Sequence, residues 1–178
     1  HIIRSLAFFI IATHAISVNA MPITGHLTMS GEFELTDASG NVGATLDNAT
    51  GIDFLDADGN TGSGGSFLVA GSSGEFSSVT YGATGTITDF QFDPFLGTIT
   101  DFWTLTLDNF SFDLNAITGI IKNTLEYEMF GQVNTFDYIS LAGTGVIKNA
   151  TDGYDDTVGT WSLSGDVTNG IIFGWSST

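Results

Sequence analysis

The chain has 178 residues, with 20 acidic side chains against three basic ones, a formal net charge of −17 and no cysteine. Phosphate binding needs a basic stripe, and this chain has the opposite sign almost everywhere, which argues against nucleic acid and anionic membrane surfaces and favours hard cations such as calcium. Without thiols there are no disulfide staples, thiol nucleophiles, iron–sulfur clusters or thiolate zinc sites, so stability must come from the core, from calcium or from assembly.

The first twenty residues read as a signal helix. Arg4 supplies the positive charge, Leu6 to Ala12 the apolar stretch, and Val18-Asn19-Ala20 the small residues of a cleavage site. Thr13 and His14 interrupt the apolar run, which falls short of the roughly 20 residues that span a bilayer. The mature chain is therefore expected to begin at Met21 and to hold no stable membrane span. Because His1 is not an initiator Met, a residue or two of the charged leader is expected to precede it. All acidic residues follow Ala20, and only Lys122 and Lys148 of the basic ones do; 20 acids against two lysines put the mature chain at −18. Residues 21–178 are enough for one domain that buries about two thirds of its unfolded surface.

Strand patterns then run to the end of the chain. From His26 to Thr36, Leu27, Met29, Phe33 and Leu35 alternate with His26, Thr28, Ser30, Glu32 and Glu34, the pattern of a half-buried strand with a kink at Gly31. Residues 59–74 are rich in Gly and Ser and read as a long loop around a short strand at Phe67-Leu68-Val69. Gly85-Thr-Ile-Thr-Asp-Phe90 recurs as Gly97-Thr-Ile-Thr-Asp-Phe102, which two copies make into neighbouring strands and not a solenoid. Around Asp108-Asn109 a two-residue turn would set Leu107 against Phe110, Leu105 against Phe112 and Trp103 against Leu114, with Thr104, Thr106, Ser111 and Asp113 on the wet side. Leu125, Tyr127 and Met129 alternate with Glu126 and Glu128, and strands follow at 139–147, 161–164 and 171–175. Turn signals separate the runs, and no helical period of useful length appears after the leader. The expected fold is all-β, a single antiparallel β-sandwich or jelly-roll-like domain over residues 21–178 behind the signal peptide of residues 1–20.

Asp53, Asp56, Asp58 and Asn60 place four oxygen-bearing side chains in a Gly-rich loop, which suits calcium. The EF-hand pattern fails, with Thr61 where its Gly and Phe67 where its Glu would stand, so an acidic turn that hydrogen-bonds its own backbone is the simpler account. Asp152, Asp155 and Asp156 make a weaker second loop of the same kind. Glu32 with Glu34 and Glu126 with Glu128 lie about 6–7 Å apart along single strand faces, a spacing open to glycosidase chemistry but also to plain solvent-facing glutamates. His26 is the only histidine after residue 20, and no Gly-x-Ser-x-Gly elbow or phosphate loop accompanies it. Trp103 is expected to point inward, with Trp161 and Trp175 also in the core, leaving Tyr81, Tyr138 and Tyr154 as candidate platforms for sugar rings. No catalytic residues emerge.

The succession Phe102-Trp-Thr-Leu105, Phe110-Ser-Phe-Asp-Leu114, Leu141-Ala-Gly-Thr-Gly145, Gly159-Thr-Trp-Ser-Leu163 and Phe173-Gly-Trp-Ser-Ser177 resembles the β-rich ectodomains of exported bacterial proteins of the exosortase-sorted (PEP-CTERM) group. The resemblance covers residues 80 to 177 and is looser from Met21 onward. It implies a Gram-negative surface or matrix protein tied to biofilm and exopolysaccharide, and it transfers no catalytic residue. The chain departs from that group in ending at Thr178 without a Val-Pro-Glu-Pro motif, apolar tail or basic cluster, so a truncated C-terminus or an unanchored relative is expected. The function expected is thus a non-enzymatic structural or adhesive component, secreted or at the cell surface, with exopolysaccharide or matrix proteins as partners and calcium as the candidate ion. The alternatives are a secreted carbohydrate-binding module, marked by an exposed aromatic row on one sheet, and a glycan-active enzyme, marked by two carboxylates in a cleft with a raised pKa.

Overall fold

The computed structural model describes residues 20–62, 64–105, 107–151 and 153–167 and the backbone of 174–177. The expected signal helix, apart from Ala20, lies outside the described residues, as do Asp152 and the side chain of Trp175.

Alternating apolar residues build thirteen strands: β1 Met21–Pro22, β2 Gly25–Ser30, β3 Phe33–Thr36, β4 Gly51–Phe54, β5 Gly65–Gly74, β6 Thr84–Ile87, β7 Phe90–Gln91, β8 Ile99–Leu105, β9 Phe110–Met129, β10 Gln132–Asn149, β11 Tyr154–Asp155, β12 Thr157–Asp166 and β13 Gly174–Ser177. The all-β, antiparallel domain expected from the sequence is present. Its main sheet closes on itself in the order β10-β12-β13-β2-β5-β6-β8-β9, a barrel. A three-stranded sheet, β3-β4-β7, packs against it, and β1 pairs with β11.

One apolar core joins the two sheets. Phe90 of β7 meets Phe102 edge-on at 5.2 Å and Trp161 at 6.1 Å, and Phe54 of β4 meets Phe102 at 6.3 Å. Elsewhere Trp103 stacks on Phe112 at 6.0 Å and 8° and receives Phe67 edge-on. Trp103 and Trp161 are buried, as their alternation predicted. Glycine at the facing positions makes room for such rings. A Cβ at Gly85 would collide with the ring of Phe67, its direct partner across β5 and β6, and one at Gly145 with the ring of Phe112.

The hairpin at 102–114 forms with a different register. Leu105 pairs with Phe110 and Trp103 with Phe112, so the connection is four residues long and Leu107 sits in it, 90% exposed. The displacement is two residues, which keeps the side chains that remain paired on their expected faces. Asp113 is the exception on the wet side. It is buried, ion-paired with Lys148, and its Oδ1 accepts the N–H of Asp101 at 2.9 Å. Asp101 has a φ of 50° and lies where β8 shifts register against β9, so the Asp113 carboxylate satisfies a backbone donor that the irregularity frees.

Candidate functional site

Strands β9 and β10 are 20 and 18 residues long, far beyond the usual 3–10. Their lower halves belong to the barrel. Among the described residues, β9 has no strand partner on its outer edge beyond Leu114, and before Tyr138 the ladder of β10 is with β9 alone. Among the described residues, 123–136 therefore form a two-stranded arm held by its own ladder, and the N–H of Val167 bonds to the Asp137 carbonyl at its base. Two-residue tip geometry ends it: Phe130 has a φ of 55° and Gly131 of 76°, the two successive left-handed residues of a primed hairpin turn.

Because partners across an antiparallel ladder share a face, the register sorts the arm into two surfaces. One carries the rungs Ile121/Ser140, Asn123/Tyr138, Leu125/Phe136, Tyr127/Asn134 and Met129/Gln132. These rungs carry no charged residue, and Asp166, across β12 from Tyr138, stands beside their barrel end. The other carries Lys122/Ile139, Thr124/Asp137, Glu126/Thr135 and Glu128/Val133, so all the arm's carboxylates stand on one side. Leu125, Tyr127 and Met129 are each about half exposed, and Phe130 at the tip is 96% exposed. Phe136 and Tyr138 lie with ring centroids 6.4 Å apart and planes within 17°. The alternation at 125–129 thus builds a strand, as expected, but its apolar side faces outward.

Both lysines of the chain are committed to the fold. Lys148 pairs with Asp113, and Lys122 donates to the carbonyl of Ala49 with its ammonium 5.5 Å from the centre of the Phe92 ring.

The four residues expected to hold calcium are engaged in different ways. Asp56 Oδ1 accepts the N–H groups of Asp58 and Asn60, each at 2.9 Å, and the Asn60 amide donates to both carboxylate oxygens at 3.2 and 3.3 Å. Those bonds from Asn60, backbone first and then side chain, hold the Asp56 carboxyl below its usual 3.8. Asp53 stands apart on β4, across from Glu34, with one carboxylate oxygen buried and without a hydrogen-bond partner. Burial pushes its pKa up. Asp89 is also raised, first by burial, and accepts the N–H of Phe54 at 2.8 Å; the charge of Asp53 raises it further. Among the described residues no three His, Asp or Glu side chains gather in a way that could hold a metal ion. The pairing of Asp53 with Asp89 was not visible in the sequence, since 36 residues separate them and only the β4–β7 ladder brings their neighbourhoods together.

A groove of about 660 Å³ opens beside the loop of residues 55–59. Leu55, Phe67, Leu68 and Leu107 line it with the carboxylates of Glu32 and Asp56. Asp53 and Asp89, the carboxyls raised by burial, do not line it. Of the candidate platforms, Tyr81 is exposed on a loop, Tyr154 donates to Glu75 Oε2 at 3.0 Å, and Tyr138 belongs to the uncharged surface of the arm. His26 lies on β2 and is half-buried.

Compared with protein-family models, with curated proteins and with solved structures, the chain shows no significant match to any.

Proposed function

We propose that this chain is an exported, non-enzymatic component of a bacterial cell surface or extracellular matrix, and that it makes its contacts through the β9–β10 arm. The observation that carries this reading is the segregation of the arm: a row of half-exposed apolar and aromatic side chains on one surface and all carboxylates on the other. A ribbon that exposes such a row without a covering element holds it for another molecule. The arm is the part of β9 and β10 that extends beyond the ladders of the closed barrel. Export rests on the leader of residues 1–20, and the surface setting on the resemblance to exosortase-sorted proteins.

The test uses the full chain expressed in a Gram-negative host. Its exported product is expected to begin at Met21 and to be retained on cell envelopes and on matrix stripped from biofilm. A variant with Leu125→Asp and Tyr127→Asp is expected to lose that retention while the barrel melts at the same temperature. A product that stays inside the cell, or that is retained equally with and without the substitutions, would refute the reading.

A further inference from the structure

Resting on that reading of the arm, we infer that its uncharged surface binds a neutral polysaccharide laid along the ribbon. The rungs carry the inference. Ile121 stands beside Ser140, Tyr138 beside Asn123, Tyr127 beside Asn134 and Met129 beside Gln132, so four of five rungs pair one apolar or aromatic group with one uncharged polar group. Only Leu125/Phe136 is apolar on both strands. A sugar ring has the same division, with C–H groups on its faces and hydroxyls at its edges. Its face stacks on an aromatic ring while amides and phenol hydroxyls meet its edge. A lipid surface or the face of a second sheet would have to desolvate those amides for nothing in return.

Length and charge select further. From Ile121 to Met129 the strand advances about 26 Å at 3.3 Å per residue, room for a run of sugar units and not for a single one. Anionic polymers would approach a chain of net −17 with both lysines already engaged, so they meet repulsion at long range and no lysine at contact. A second copy of the chain meets the same repulsion. A neutral glycan meets none.

The exported product of the full chain is run in native gels containing hydroxyethylcellulose, laminarin or galactomannan, with alginate as the anionic comparison. Retardation is expected from at least one neutral polymer and not from alginate. Tyr127→Ala with Tyr138→Ala is expected to weaken it about tenfold, the worth of one to two lost stacking contacts. Glu126→Gln, on the opposite surface, is expected to leave it unchanged, and melting curves establish that each variant is folded. No retardation by any of the three neutral polymers overturns the inference, as does equal or stronger retardation by alginate. Sedimentation velocity and flotation with phosphatidylcholine vesicles separate the outcomes. Self-association or vesicle binding abolished by Leu125→Asp, without glycan binding, overturns the glycan and keeps the arm as the contact surface. Absence of all three, together with no retention on cell envelopes, removes both.

Discussion

Trp161 lies directly across β10 and β12 from Gly143, and its indole fills the space that a side chain at Gly143 would occupy. Inward-facing glycine opposite a large aromatic ring is a device for filling a narrow barrel without crowding it. A methyl group at Gly143 would strike both the indole and the carbonyl of Ala116. Gly143→Ala is therefore expected to destabilise the domain by about 1–3 kcal/mol. Gly119→Ala is the comparison, because its Cβ would meet only the Ala142 methyl at an ordinary 3.6 Å. Denaturant unfolding should move the midpoint for the first and leave it nearly in place for the second; equal effects would mean that the indole can yield.

Much of this architecture is legible in the residues, and the failures have identifiable causes. Alternation placed Trp103, Phe112 and Leu114 on one face, and all three are buried. It could not settle register, because a slip of two residues leaves every face unchanged, and so the exposure of Leu107 was invisible. The irregularity at Asp101 was invisible too, and with it the demand that draws Asp113 inward to Lys148 and the Asp101 N–H. At the acidic loop, Asp56 has the atoms calcium would want, but oxygen count does not say whether backbone donors already claim them. The arm shows the limit most clearly. Leu125, Tyr127 and Met129 have the pattern of a half-buried strand, and whether a neighbour covers that side depends on where β8 and β12 stop pairing.

The carboxyls of Asp53 and Asp89 make stability depend on pH in a definite direction. Both sit above the usual 3.8 in the folded chain, burial being the first cause in each. A carboxyl with a raised folded-state pKa binds its proton more tightly folded than unfolded. Its stabilising contribution is complete below 3.8 and is lost as pH rises through the folded-state value. At neutral pH the two anions face each other, and Asp53→Asn replaces that repulsion with an amide. Its melting midpoint is expected to rise at pH 7, with the gain shrinking toward pH 3. A gain that grows on acidification would reverse the assignment.

Calcium can be tested on the same melting curves. A cation at the 53–60 loop would have to displace the bonds that Asp58 and Asn60 make to Asp56. Melting with millimolar calcium is therefore expected to match melting with excess chelator, while Asp56→Ala lowers the midpoint in both by freeing the loop's donors. A rise with calcium that Asp56→Ala abolishes would instead establish a native-state cation site there.

Phe130 poses the sharpest opposition between folding and contact. A primed two-residue turn favours Asn or Gly at its first position, and a left-handed conformation costs an ordinary L-residue about 1–2 kcal/mol. Here a phenylalanine accepts that cost and leaves its ring almost wholly in solvent, gaining no packing in exchange. Under the proposed contact role, the ring at the tip would serve the partner, which gives this strain a reason to persist. Phe130→Asn creates the Asn-Gly turn that hairpins prefer, so the arm should close more firmly. Amide exchange at Met129 and Gln132 is expected to slow about fivefold, the equivalent of roughly 1 kcal/mol. Retention on cell envelopes and in neutral-glycan gels should fall at the same time, since the arm loses the ring at its end. Slower exchange with undiminished retention would confine contact to the rungs from Ile121 to Met129. Faster exchange would show that the ring stabilises the turn, and the opposition would disappear.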